Sequence, residues 1–150
     1  MAVSVRPFLS IPLGFPALAF TPGGGAEILV EYGFGSPFHL HAGVGYQLVP
    51  FREEVEMLNL ISIRGGAGLR WLLVPRVALR VYARGGVFTS ISTDPQESVA
   101  VHACVMAGAG AQVRLTPRIG VLADAAYSLY VLKYHGISVH LGISIGLGPD

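Results

Sequence analysis

Apolar and polar positions alternate along most of the chain. From Val77, the odd positions Val77, Leu79, Val81 and Ala83 are apolar and interleave with Arg80, Tyr82 and Arg84. A period of two predicts a strand, and Val and Tyr favour that conformation. A helix would mix the two sets on every side. The same parity predicts eight strands, over 3–13, 24–34, 38–48, 57–73, 76–90, 98–115, 118–131 and 137–147. In each, one face is wholly apolar and the other carries Gly, Ser, Arg, Glu and His. Short turns, "GFGSP" (33–37), "LVPR" (73–76) and "LTPR" (115–118), follow the second, fourth and sixth strands. Longer connections, 14–23, 49–56 and 91–97, follow the first, third and fifth, and a short one, 132–136, follows the seventh. The pattern is a repeated hairpin, and 150 residues suit a single domain.

Eight sequential hairpin strands close into an up-and-down barrel, which removes both sheet edges. A soluble barrel of lipocalin type would keep its apolar face inside around a lipid or other apolar ligand. A membrane barrel would turn that face to lipid and fill its interior with polar groups. Composition bears on the choice. Charged residues are only 13% of the chain, well below the usual surface of a soluble domain. Nine of the ten basic residues are Arg, which suits enclosed ion pairs better than Lys does. The apolar faces carry no charge. The polar faces are rich in Gly, which weakens a solvated strand but makes room for large side chains in a narrow interior. Phe34, Phe38 and Trp71 stand by the short turns, with Tyr46 and Tyr127 toward the other end, as an interfacial aromatic girdle requires. The expected fold is therefore an all-β, eight-stranded antiparallel transmembrane barrel. A net charge of +1 gives no nucleic-acid footprint. No apolar run is long enough for a transmembrane helix, and the start "MAVSVRPFLS" is not read as a signal peptide.

The hairpins "GAGLRWLLVPRVALRVYARGG" and "GAGAQVRLTPRIGVLADAAYSLY", with the final strand "GISVHLGISIGL", resemble the small eight-stranded outer-membrane barrels of Gram-negative-type bacteria, the OmpA transmembrane domain and OmpX kind. The resemblance covers essentially the whole chain. It implies a bacterial outer-membrane location, with short turns and both termini in the periplasm and longer loops outside. Membrane lipids would be the partner, and loops 14–23, 49–56 and 91–97 would face any surface partner. Glu53, Glu54, Glu56, Asp94 and Glu97 make the second and third of these acidic, whereas "GFPALAFTPG" is apolar. One departure is the ending "IGLGPD", where this kind of barrel usually has a terminal aromatic.

Candidate chemistry lies on the polar face. Arg6, Arg64, Arg70, Arg80, Arg84 and Arg114 meet Glu27, Glu31 and Asp124 there, and buried charges must pair. Arg6 and Glu31 are expected to pair near the turn end. The arginine excess could serve a narrow pore or an anion site, but eight strands leave little lumen, so a polar plug is the expectation. His39 and His41 are placed near the turn end and His102 and His140 nearer the loop end; they cannot converge, so no metal site and no cofactor are expected. His140 and Ser144 share a face but lie about 13 Å apart, too far for nucleophilic catalysis, and no catalytic residues are assigned. Cys104 points inward as an inert thiol. The expected role is structural anchoring or surface interaction.

Overall fold

The computed structural model describes residues 1–34, 37–52, 57–91, 101–131 and 134–147. Eight strands, β1 (Ala2–Pro12), β2 (Gly23–Gly33), β3 (Phe38–Pro50), β4 (Met57–Val74), β5 (Val77–Ile91), β6 (Val101–Arg114), β7 (Ile119–Tyr130) and β8 (Tyr134–Gly146), follow in meander order. Every neighbouring pair is antiparallel, and β1 pairs with β8 to close the barrel. One short helix, α1 (Pro16–Ala19), lies in the first long connection. The chain ends, Ala2 opposite Gly146, sit at the end that carries the short turns.

Strand parity sets the barrel's polarity. Val5, Ile28, Val44, Ile63, Val105 and Leu141 face out and are exposed, whereas Arg6, Glu27, Arg64 and Asp124 are buried. No Asp, Glu, Lys or Arg faces outward from any of the described strand residues. Phe34, Phe38 and Trp71 lie exposed toward the turn end, and Tyr46 and Tyr127 toward the loop end. Tyr32, which parity alone did not single out, joins the first group, its ring edge-on to Phe34 at 5.0 Å.

Small residues let the interior close around large ones. A Cβ on Gly142 would meet the Arg6 side chain at 2.6 Å, and one on Gly108 would meet the Tyr82 ring at the same distance. Substitution at either would force strain into a packed interior.

The strand ends differ from the pattern-based expectation where side chains pack inside. β3 runs on to Pro50, and Val49, expected in a loop, is fully buried. β8 begins at Tyr134 rather than 137, because the Tyr134 ring is also buried. The expected start of the sixth strand at 98, and the acidic positions Glu53, Glu54, Glu56, Asp94 and Glu97, lie outside the described residues.

Candidate functional site

The interior is layered along the barrel axis. At the loop end it is apolar, contrary to a uniformly polar face. Val49, Leu60, Phe88, Cys104, Tyr130 and Tyr134 pack together, and Phe20 folds in from the first connection to cover them. Phe20 stacks at a tilt on Phe51 at 4.8 Å and meets the Tyr134 ring edge-on at 6.0 Å. Cys104 lies within this cluster and is buried. Beneath it, Ser10 Oγ bonds the Tyr134 hydroxyl at 2.6 Å and accepts from Gln47 Nε2 at 3.0 Å.

An ion network fills the middle. Arg84 Nη1 donates to both oxygens of Glu27 at 2.9 Å, and Arg64 Nη2 donates to Oε2 at 3.1 Å. Arg6 places Nε 3.4 Å from Glu27 and donates through Nη1 to Asp124 at 3.0 Å. Tyr82 donates to the other Asp124 oxygen at 2.6 Å, and the Arg84 guanidinium lies over the Tyr82 ring at 4.5 Å. The expected Arg6–Glu31 pair exists only at 3.8 Å. Strand register puts Arg6 opposite Glu27 instead, so Arg6 is shared among three carboxylates. Glu31 is held by Arg80.

Arg70 and Arg114 do not belong to this buried network. They point the same way, Arg114 at the end of β6 and Arg70 opposite Arg80 near the end of β4, and both are exposed toward the turn end. With Gln112, Ser144, Glu31 and His39 they line an open cavity of about 560 Å³ at the turn end.

The histidines fall into separate layers. His140 is fully buried at mid-barrel rather than nearer the loops, stacked on Phe8 at 4.8 Å. His102 is half-buried at the loop end, 5.5 Å from the Phe88 ring. His39 and His41 stack on each other at 4.3 Å toward the turn end. Glu31 lies beside them, and one ligand atom from each of the three falls within 4.8 Å of the others. The signal lies in the register of β2 on β3, which sets Gly33 opposite His39 and hence Glu31 opposite His41.

Ser144, considered with His140 as a catalytic pair, instead accepts from Gln112 Nε2 at 2.9 Å. The serine on His140 is Ser138, with Oγ 2.8 Å from Nε2, and Glu27 stands 3.9 Å from Nδ1. These three resemble a nucleophile, base and acid in type only. Ser138 and His140 are sealed inside the barrel, and Glu27 is committed to three arginines.

No protein-family model matches the chain, and no curated protein matches it in sequence. Solved structures do share its fold. Neisserial surface protein A is 15% identical, with a TM-score of 0.76 over 97% of this chain and 96% of that one. The attachment invasion locus protein Ail of Yersinia pestis is 17% identical, with a TM-score of 0.57 over 96% and 94%. The outer membrane enzyme PagL is 12% identical, with a TM-score of 0.53 over 96% and 99%. At these identities the likeness is one of fold: that of the small eight-stranded outer-membrane β-barrels.

Proposed function

We propose that this barrel, with the fold of small eight-stranded outer-membrane proteins, is an integral outer-membrane protein with a structural, anchoring or surface-interaction role. Its termini and short turns face the periplasm, and its longer connections, 14–23, 49–56 and 91–97, are displayed outside. The observation that carries this reading is the polarity of the wall. Along the described strands an uncharged, mainly apolar exterior surrounds a core of paired charges, an arrangement that lipid stabilises and water does not. A lipocalin-like carrier would need the reverse.

The first connection supports a surface role. Phe15 and Leu18 project from it and are exposed, while Phe20 of the same segment anchors it over the barrel. Displayed apolar side chains of this kind suit contact with a partner or with lipid. The interior supports structural filling over transport or catalysis. The Phe20-covered cluster and the ion network block the axis, and the Ser138–His140 pair sits where lipid substrate does not reach.

The test combines two readings on chain refolded into vesicles. Unboiled protein should resist SDS and shift in mobility on heating, and planar bilayers containing it should stay electrically silent. Stepwise conductance would overturn the plugged interior. A chain that stays soluble without detergent and shows no heat shift would overturn the membrane assignment.

A further inference from the structure

We propose that Glu31, His39 and His41 form a binding site for a divalent transition-metal ion, with Zn²⁺ as its probe, at the floor of the turn-end cavity. His39 and His41 are two apart on β3, so strand alternation projects both imidazoles from one face. Antiparallel register brings Glu31 of β2 directly across from His41. Two imidazoles and one carboxylate are a donor set that zinc and its neighbours accept, with a fourth position left for water.

Three observations point to a ligand. All three side chains are more than nine-tenths buried. Neither ring nitrogen of His41 has a hydrogen-bond partner, and His39 meets only the Pro37 backbone, although burying polar atoms unpaired is costly. Glu31 and His39 also line the 560 Å³ cavity, which gives an ion a path from the turn end.

Arg80 is the competitor. It holds Glu31, and Arg6 stands 3.8 Å away, but both contacts fall on Oε1. Among the described residues no ion pair or hydrogen bond falls on Oε2, which leaves it for a cation. Metal bonds of about 2.0–2.1 Å bring ligand atoms closer together than the present 4.8 Å limit, so the rings must turn inward on binding. The neighbouring guanidiniums weaken the site without occupying the imidazoles.

The test is Zn²⁺ titration of the full chain, folded in detergent and stripped by chelator, followed by calorimetry and by imidazole NMR. The expected result is one saturable equivalent, with ring signals of His39 and His41 shifting and those of His102, His135 and His140 unmoved. His39→Gln and His41→Gln, each shown to be folded by its heat-shifted mobility, should weaken binding at least tenfold, and His135→Gln should not. No saturable uptake, shifts confined to His102 or His135, or binding that survives both substitutions would overturn the site. The NMR reading on the unsubstituted chain decides the matter even where a variant fails to fold.

Discussion

Replacing Glu27 by Gln is expected to cost about 3–5 kcal/mol of barrel stability, the range for removing one partner from a buried ion cluster. Glu27 is the common ion-pair partner of Arg6, Arg64 and Arg84. Among the described residues, four buried arginines face three buried carboxylates, Glu27, Glu31 and Asp124. The amide keeps the shape of Glu27 but removes the charge that Arg64 and Arg84 bond, and leaves Arg6 to Asp124 and Glu31. Their hydrogen bonds cannot all move to Asp124, which already serves Arg6 and Tyr82. The comparison is Arg114→Gln at the exposed mouth, which should stay within about 0.5 kcal/mol. Urea unfolding from vesicles measures both. A Glu27→Gln cost no larger than that of Arg114→Gln would mean that water, not Glu27, balances the core charges.

Placing a charge on the outer wall is the second large effect. Leu141 lies midway along β8, faces outward with 59% exposure, and neighbours Ala123 across the β7 pairing. In water, Leu141→Arg would be harmless or helpful. In lipid near the midplane it should destabilise the barrel by about 2–4 kcal/mol. The same vesicle unfolding measures it, alongside the fraction of chain that acquires heat-modifiable mobility. Full stability of the Arg variant would place this face in water.

The two effects mirror what the alternating pattern makes legible. Parity divides each strand into two faces, so the strand count, the closed meander and the uncharged wall all follow from the sequence. The outward exposure of Phe34, Phe38, Tyr46, Trp71 and Tyr127 follows from the same parity. Parity does not say which inward residues share a depth. Leu60, Phe88 and Tyr130 sit on different strands among polar neighbours and become a cluster only when the barrel closes. The long connections were equally opaque: nothing periodic marks Phe20 as the residue that folds back inside. Exposure likewise separates Arg70 and Arg114 from Arg80 and Arg84, although all four share the inward face and Arg70 stands directly opposite Arg80. The Glu31–His39–His41 grouping needed register across a hairpin in addition to parity, and register follows from the turn rather than from either strand.

The central claim is that the apolar face meets lipid, and the chain carries its own reporter in Trp71, its one tryptophan. The ring is 43% exposed on the outer wall, on β4 close to the short turn before β5. The decisive measurement is Trp71 fluorescence in vesicles whose acyl chains are brominated at different depths. The account predicts strong quenching that is greatest for bromines nearest the headgroups. Emission that no brominated lipid quenches would contradict it, and would put the apolar face of the barrel out of the membrane.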